Sequence, residues 1–393
     1  MADSGLPLEG LKVIEFTHMV MGPSTGLILA DLGAEVVRVE PIGGDRTRRL
    51  LGSGAGYWPM YNRNKQSICL DLKAPAGLDA ARRLAGGADI VVENFRPGTL
   101  ERLGLGYAPL SKVNPRLIYC SAKGFLAGPY ENRAALDEVA QMMGGLAYMT
   151  GPPGKPLRAG ASVIDVTGGM FGVIAVLAAL ERRHHTGVGG EVKCSLFETT
   201  AFLVGQHMAQ MAVTGSPAAP MPARVSAWAI YDVFETTGGE QVFVGVVSDQ
   251  QWRTFCAAFG LNDLATDQSI ALNNDRVRAR DRLLPIVRAL FAGYEASDLL
   301  AKCEAIGLPV APIARPEDLF DDAHLNAGGG LVPIDLPEGA STRLPALPIE
   351  IDGARLGLRR PLSGPGADTA EVLRGAGFQD GEIDALIAAG AAA

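Results

Sequence analysis

The chain has 393 residues, of which 48% are hydrophobic and 20% are charged. This length and composition predict a globular protein with enough residues for two domains. The formal net charge of −8 excludes a global basic field that would attract nucleic acid or an anionic membrane surface, so a bound anion must meet a local basic cluster.

A strand, a helix and a second strand are predicted at the start of the chain, over residues 11–16, 24–33 and 35–40. This order is typical of a right-handed βαβ unit in a parallel sheet, where ligands bind beyond the carboxyl ends of the strands. The loop 18–23 therefore lies at a predicted binding edge. No G-x-G-x-x-G motif follows the first strand, so a dinucleotide is not the favoured ligand.

A basic cluster comes next, and further predicted strands follow it. The cluster consists of Arg46, Arg48, Arg49, Arg63, Lys65 and Lys73. It is either a phosphate-binding edge, because arginine and lysine form charge-assisted hydrogen bonds with phosphate oxygens, or a solvated rim. Further strands are predicted at 67–72, 89–94, 117–121 and 191–196. We therefore expect several strand ends to deliver loops to one side of one sheet.

The segment 158–187 places one carboxylate, Asp165, at the start of a long apolar helix with a basic last turn. One interpretation is an N-cap residue that accepts a backbone N–H bond. The other interpretation depends on small neighbours that leave open space for a ligand: Gly160, Ala161, Gly168 and Gly169. The helix N-terminus would favour the ionised form, and an ionised carboxylate can act as a nucleophile on an activated carbonyl.

A second, smaller α+β domain is predicted after a proline-rich linker at 215–223. It begins with a β-hairpin at 230–247 and continues with helical segments. The region 328–348 is predicted to be rich in loops.

The five cysteines are odd in number, scattered and never spaced C-x-x-C, so we expect buried thiols without a disulfide framework or a zinc site. The first residues lack the pattern of a signal peptide, and we expect no apolar run of about 20 residues. The sequence thus predicts a soluble, cytoplasmic protein that binds neither nucleic acid nor a membrane.

Several segments together form a family pattern: 8–17, 22–23, 32–41, 64–73, 92–98, 160–165 and 180–187. In these segments the sequence resembles the class III CoA-transferase family. The resemblance covers nearly the whole chain and is strongest in its first half.

The resemblance implies that Asp165 is the nucleophile of an acyl-CoA:carboxylate CoA-transferase. Its carboxylate would attack an acyl-CoA thioester to give a mixed anhydride and CoA thiolate, and the thiolate would then form an aspartyl-CoA thioester. An incoming acid would repeat the sequence in reverse and leave as the new acyl-CoA. Asp137 and His18 are the other expected active-site residues, and backbone N–H groups of the loop 18–22 are expected to stabilise the oxyanion.

CoA is expected as a substrate, with no permanently bound cofactor and no metal. The residues expected to bind CoA are Arg38, Leu70, Asp71, Leu72, Lys73, Asn94, Phe95, Arg96, Arg102 and Lys123.

The implied fold class is α/β, with a large Rossmann-like domain containing a parallel sheet and a smaller α+β domain. The subunit is expected to be a ring that interlocks with a second copy in a homodimer. The predicted parts are a large CoA-binding domain at 1–212, a linker at 213–228, the small domain at 229–325, and a return linker and C-terminal segment at 326–393 that packs on the large domain.

Two departures from the family bear on the activity. Val20 stands where formyl-CoA transferase has a glutamine, which predicts a more apolar or differently lined acyl pocket and disfavours oxalate. Leu136 stands where the racemases have a histidine that moves the α-proton, which disfavours racemisation. A racemase or epimerase and a catalytically silent CoA-binding protein remain the alternatives.

The donor and acceptor acids are left open, with succinyl-CoA or another dicarboxylyl-CoA as the candidate donor. Arg158 or His18 could recognise a distal carboxylate, although Arg158 could equally form a structural salt bridge. The Gly238-Gly239 turn is either a simple hairpin turn or a loop that approaches the partner's active site.

Overall fold

The structure is a computed structural model that describes residues 5–224, 226–337 and 339–393. The chain forms two compact units. The large unit contains the chain up to Pro222 and then Ala323–Ala393, and the small unit is Ala223–Asp322. The large unit is therefore built from two separate stretches of the sequence.

A six-stranded parallel sheet forms the centre of the large unit. Its strands are β1 (Lys12–Phe16), β2 (Glu35–Glu40), β3 (Lys65–Cys69), β4 (Ile90–Glu93), β5 (Ile118–Lys123) and β6 (Gly190–Ser195). They lie in the order β3-β2-β1-β4-β5-β6, so the direction of winding reverses between β1 and β4. This confirms the predicted α/β fold with a parallel sheet, and it places the expected ligand crevice beyond the carboxyl ends of β1 and β4.

Helices connect and cover these strands. Those in the first stretch are α1 (Met21–Asp31), α2 (Tyr57–Tyr61), α3 (Pro75–Gly86), α4 (Thr99–Arg102), α5 (Tyr107–Val113), α6 (Asp137–Met143), α7 (Leu146–Thr150), α8 (Val163–Thr186) and α9 (Leu196–Thr214). Helix α1 begins three residues before the predicted helix, so the loop after β1 is short.

Helix α8 packs closely on α1 because two glycines line the contact. A Cβ atom on Gly169 would lie 2.2 Å from the Ser24 Oγ, and one on Gly168 would lie 2.8 Å from the Met21 Cε. The interpretation of these two glycines as open space beside Asp165 is therefore wrong. At Gly160, by contrast, no heavy atom lies within 4 Å of an added Cβ.

Helix α8 also corrects the expectation about apolar runs. It is long and apolar enough, by length and composition alone, to cross a membrane. In the large unit it packs against α1, β5 and β6, and 44% of its most apolar 18-residue segment is buried. The core helix of a soluble protein can have the same length and apolar composition.

The end of the chain adds to the β3 edge of the large unit. Helices α16 (Thr369–Gly375) and α17 (Asp380–Ala388) place Leu373 and Leu386 in the core that also contains Ile68 and Leu70. The Asp71 N–H then donates to the Ala391 carbonyl at 2.9 Å. The C-terminal residues thus support the strand end that precedes the predicted CoA-binding segment.

The re-entering stretch also contains short elements that the sequence did not predict. They are α15 (Ala323–Ala327), β10 (Leu331–Asp335), β11 (Ser341–Pro345), β12 (Glu350–Ile351) and β13 (Ala354–Arg355). Strands β10 and β11 form an antiparallel pair where loops were expected, because Val332 and Ile334 alternate with less buried residues and bury a small core with Ala346.

Among its described residues the small unit has an antiparallel sheet and five α-helices. Its strands are β7 (Tyr231–Glu235), β8 (Gln241–Gly245) and β9 (Val310–Pro312), and its helices are α10 (Asp249–Ala258), α11 (Asn262–Thr266), α12 (Asn273–Arg278), α13 (Arg280–Phe291) and α14 (Ala296–Ala305). The pair β7 and β8 confirms the predicted hairpin. Gly238 and Gly239 both have positive φ in its turn, which only glycine adopts without strain.

Candidate active site

A cleft of about 510 Å³ opens beyond the carboxyl ends of β1 to β4 in the large unit. Aliphatic and aromatic side chains make most of its wall, as expected for a site that holds the apolar part of a ligand. The predicted residues in its lining are His18, Leu70, Asp71, Leu72, Lys73 and Phe95. Arg46 also lines it, so both Arg46 and Lys73 offer positive charge there.

Two loops are joined at one side of this cleft through His18 and Asn94. The His18 N–H donates to the Asn94 Oδ1, and the Asn94 Nδ2 donates to the His18 carbonyl, both at 2.9 Å. The His18 ring packs edge-on against Phe95, with 5.3 Å between ring centroids. Burial lowers the pKa of His18, and its Nδ1 has no hydrogen-bond partner among the described residues. His18 thus presents a neutral imidazole.

Two other predicted CoA-binding residues lie behind the cleft, outside its lining. Arg38 is only 1% exposed, and its guanidinium binds the Asp45 carboxylate at 3.1 Å and the Thr17 carbonyl at 3.3 Å. The Lys123 Nζ donates to the Phe95 carbonyl at 2.8 Å and also pairs with Glu93. Their contacts hold the loops that carry His18 and Phe95, which is a supporting position.

The remaining predicted residues, Arg96 and Arg102, are exposed on the loop and short helix after β4. Neither lines the cleft. Gly98 between them has a φ of 78°, so a glycine is required where the chain turns into α4.

Half of the basic cluster is structural. Arg48 pairs with Glu40 at 2.7 Å, Arg63 with Asp31 at 2.8 Å, and Lys65 with Glu15 at 2.8 Å. All three cations are buried or nearly so. For Arg48, Arg63 and Lys65, both interpretations of the cluster, as a phosphate-binding edge and as a solvated rim, are therefore wrong. The sequence alone does not distinguish the paired cations from Arg46 and Lys73, because the acidic partners of Arg48, Arg63 and Lys65 lie on other elements.

Asp165 lies in the first turn of α8, inside the helix. Its carboxylate forms no hydrogen bond with residues in the described parts of the chain, so the N-cap interpretation is wrong. Burial raises the pKa of Asp165 to about 7, with smaller contributions from the charges of Asp137 and Glu138, while Arg158 opposes them. This direction is opposite to the one expected from the helix N-terminus, because desolvation and two neighbouring carboxylates outweigh the dipole.

Asp137 caps α8 in place of Asp165. Its Oδ2 accepts the backbone N–H groups of Ile164 at 2.8 Å and of Asp165 at 3.1 Å. Arg158 lies 3.5 Å from the Asp137 carboxylate and also pairs with Glu138. Asp137 is therefore a buried anchor for the backbone that carries Asp165.

Tyr61 is a residue of this site that the sequence analysis missed. Burial, followed by the charge of Asp165 and then Tyr57, raises the pKa of Tyr61 to about 12. Its hydroxyl therefore stays protonated even at alkaline pH, as an uncharged neighbour of Asp165. The available signal was the spacing of Tyr57 and Tyr61, which puts both on one face of α2.

Comparison with known proteins decides the family. The pattern of CoA-transferase family III matches residues 8–369. The chain belongs to CoA-transferase family III. The family resemblance and the enzyme class that it implied, an acyl-CoA:carboxylate CoA-transferase, are thus confirmed, and CoA thioesters are the substrates of this family.

Curated relatives align over almost their full length. The chain is 32% identical to a mouse succinyl-CoA:glutarate CoA-transferase, covering 99% of this chain and 91% of the relative. It is 34% identical to a succinate–glutarate CoA-transferase of Agrobacterium fabrum, covering 93% of this chain and 95% of the relative.

Solved structures agree with the fold. A CaiB/BaiF family protein from Brucella suis superposes with a TM-score of 0.82 at 33% identity, covering 95% of this chain and 100% of that one. A hypothetical protein from Mycobacterium tuberculosis gives a TM-score of 0.82 at 27% identity, covering 94% and 99%.

The position at which a histidine would indicate a racemase is exposed to solvent. Leu136 is 60% exposed and directly precedes α6. It carries no group that could accept a proton. Among residues 5–224, 226–337 and 339–393 there is also no group of three or more potential metal-ligating side chains.

Proposed function

We propose that this family III enzyme transfers CoA from a dicarboxylyl-CoA donor to a free carboxylic acid, with Asp165 as the covalent nucleophile. The observation that carries the proposal is a half-buried carboxylate with no hydrogen-bond partner among the described residues, at the start of a helix packed on α1. A carboxylate that stabilises nothing structurally is available for chemistry. Its raised pKa also makes it more basic, and hence more nucleophilic when ionised, than an ordinary aspartate.

The first half of the proposed reaction consumes the donor. An Asp165 oxygen attacks the thioester carbonyl, the carbon–sulfur bond breaks, and a mixed anhydride and CoA thiolate form. The thiolate then attacks the Asp165 carbonyl of the anhydride. This step releases the donor acid as its carboxylate and leaves CoA bound to Asp165 as a thioester.

The second half uses the incoming acid. Its carboxylate attacks the aspartyl-CoA thioester to give a new anhydride and CoA thiolate, and the thiolate attacks the acyl carbonyl of the new acid. The acyl-CoA product leaves, and Asp165 is restored as a carboxylate. Every intermediate keeps its acyl group activated, so no ATP is needed.

The cleft beyond β1 to β4 is the proposed CoA site. Its apolar wall suits the adenine and pantetheine parts, and Arg46 and Lys73 supply positive charge for phosphate groups. Arg96 and Arg102 are proposed to meet phosphate oxygens from the exposed loop after β4. Arg38 and Lys123 are proposed to act indirectly, through the loops that they hold.

The start of α1 is the proposed oxyanion site. Val20 precedes the helix without a side-chain cap, and neither it nor the next residue carries a polar side chain that would block the first N–H groups. Free N–H groups at a helix N-terminus stabilise developing negative charge. His18, neutral and adjacent to this turn, is proposed to contact the thioester, and Asp137 is proposed to fix the Asp165 backbone.

A dicarboxylate is the proposed substrate class because both curated relatives described above act on succinate and glutarate or their CoA esters by name. Arg158 is already committed to Asp137 and Glu138, which favours its interpretation as a structural ion pair.

A homodimer is proposed from an exposed apolar surface on α8 and α9. Met170, Ile174 and Leu177 lie at helical spacing on α8 and are 39–58% exposed, and Phe202 on α9 is 71% exposed. A continuous apolar face of this kind marks a protein contact. Light scattering in solution tests it, and a monomer at micromolar concentration would contradict it.

The proposed activity is tested by direct transfer. The protein is incubated with succinyl-CoA, glutaryl-CoA or acetyl-CoA and a panel of free mono- and dicarboxylic acids, and new acyl-CoA is measured by mass spectrometry in deuterated water. The proposal expects transfer between dicarboxylic acids without α-deuterium. Incorporation of α-deuterium without transfer would favour the racemase, and binding without either reaction would favour a silent CoA-binding protein.

A further inference from the structure

Gln141 connects the helix, loop and cap that meet behind Asp165. It lies one helical turn after Asp137 on α6 and is fully buried. Its Oε1 accepts the backbone N–H of Ala159 at 2.8 Å, and its Nε2 donates to the Asp137 Oδ1. One side chain therefore joins α6 to the loop before α8 and, through Asp137, to the first turn of α8.

The bonding of Asp137 shows why this link matters. The Asp137 Oδ2 receives the Ile164 and Asp165 N–H groups, whereas its Oδ1 receives Gln141, with Arg158 at 3.5 Å. The two oxygens of one carboxylate move together. A change in the donor to Oδ1 therefore also changes the alignment of Oδ2 with the backbone of the nucleophile.

We propose that Gln141 is a positioning residue that orients Asp137, and through it the Asp165 backbone, for attack on the thioester. This inference rests on the proposed role of Asp165 as the nucleophile. An amide suits the position because it both donates and accepts, as the two bonds require. A misplacement of a reacting group by about 1 Å can cost roughly 100-fold in rate, so the alignment has a measurable consequence.

The charged and titratable groups around Gln141 determine how a variant will respond to pH. Asp137 and Glu138 lie on α6, Arg158 on the loop and Asp165 on α8. Helix α9 also packs on α6 and carries His207 and Glu198, whose carboxylate accepts from the Leu126 N–H and the Ser195 Oγ. Tyr148 lies on α7.

The substitution Gln141→Glu tests the orientation directly. The introduced carboxyl would face the Asp137 Oδ1, and two carboxyl groups at that distance share one proton. While the proton is held, it replaces the amide N–H and the alignment survives. Once it is lost, the two charges repel and the alignment fails. We expect wild-type activity on the acid side and a loss of about 10-fold or more on the alkaline side, so the pH profile becomes a bell.

A matched control exists at the other end of the sheet. Gln66 also donates to a carboxylate, that of Glu371 at 3.4 Å, and lies beside β2 at the amino-terminal edge. Gln66→Glu is expected to keep the wild-type pH profile. If Gln141→Glu also keeps it, with wild-type kcat at alkaline pH, the proposal is overturned.

A second variant and a second readout keep the test decisive if the acid variant folds poorly. Gln141→Met keeps the side-chain length and loses both bonds, and we expect kcat to fall about 10- to 100-fold while the Kd for CoA is unchanged. Amide hydrogen exchange at Ile164 and Asp165 should accelerate. Unchanged exchange with unchanged kcat would contradict the inference. A wild-type protein that transfers no CoA would instead contradict the proposed function.

Discussion

Asn94 brackets the backbone of His18, donating to its carbonyl and accepting from its N–H at 2.9 Å each. His18 follows β1 and Asn94 follows β4, the two strands between which the winding of the sheet reverses. The two hydrogen bonds therefore join the loops that flank the crevice where a doubly wound sheet binds its ligand.

The first prediction is that Asn94→Ala lowers kcat/KM for acyl-CoA by about 10- to 100-fold. Both hydrogen bonds are lost, at a net cost of roughly 1 kcal/mol each, and the loop that carries His18 becomes free to move. Steady-state kinetics with an acyl-CoA donor checks the effect.

Asn114 provides the control for this prediction. Its side chain also bridges two segments, donating to the Ala88 carbonyl at 2.8 Å and accepting from the Arg116 N–H at 3.0 Å. It does so at the other end of the sheet. If Asn114→Ala reduced kcat/KM as much as Asn94→Ala, general destabilisation would explain both results.

The second prediction concerns the pH dependence of the first half-reaction. The proposed nucleophile is the ionised form of Asp165, whose pKa is raised to about 7. We expect kcat/KM for acyl-CoA to rise with pH and to level off above about pH 7. Asp137→Asn should move this limb to lower pH, because the charge of Asp137 is one cause of the shift. It should also lower the plateau, because the new amide nitrogen would face the Gln141 Nε2 donor. A flat profile between about pH 5 and pH 9 would argue against Asp165.

The third prediction is that Asp165→Asn stabilises the fold, more strongly at alkaline than at acid pH. A carboxyl whose native pKa is raised costs stability where it is ionised, so the cost is absent below its ordinary pKa of 3.8 and complete above about 7. The variant should therefore have a higher Tm by a few degrees at about pH 8, and a smaller gain at about pH 5. Calorimetry measures both values.

Asp79→Asn serves as the reference for that experiment, because Asp79 is 74% exposed on α3. Its change in Tm should be small at both pH values. Equal changes in Tm for Asp165→Asn at pH 5 and pH 8 would show that the carboxylate is not strained by its surroundings.

The fourth prediction tests the packing of α8 on α1. Gly169→Ala would place a Cβ 2.2 Å from the Ser24 Oγ and 2.9 Å from the Met21 carbonyl oxygen, and the latter is backbone that cannot easily yield. We expect a loss of roughly 1–3 kcal/mol in the free energy of unfolding, as overpacked cores show. Gly160→Ala meets no atom within 4 Å, so denaturant unfolding should show little change.

The regular elements of the fold could be predicted because their signals are local. Apolar β-rich runs gave the strands of the parallel sheet, and the turn with Gly238 and Gly239 gave the β7–β8 hairpin. The β10–β11 pair was not predicted, because its buried side chains are few and lie among prolines and glycines. Its pairing is decided by tertiary packing, which a local pattern does not contain.

The site was harder to predict where a residue's role depends on its partner. The sequence around Asp165 is typical of an N-cap. The cap of α8 is formed instead by Asp137, which lies 28 residues earlier on α6. Likewise Arg38 resembles a ligand-binding arginine, but Asp45 and the Thr17 carbonyl occupy its guanidinium. The five cysteines were predicted correctly as buried free thiols because their spacing alone excluded the other uses.

The most direct test of the account is to trap the enzyme during turnover. The protein is mixed with succinyl-CoA, treated with borohydride or hydroxylamine, digested, and mapped by mass spectrometry. We expect an aspartyl-CoA thioester, and therefore one modified peptide carrying the reduced or hydroxamate form of Asp165, with none in Asp165→Asn. Transfer of CoA to a free acid with Asp165 unmodified, or with another carboxylate modified in its place, would contradict the central claim.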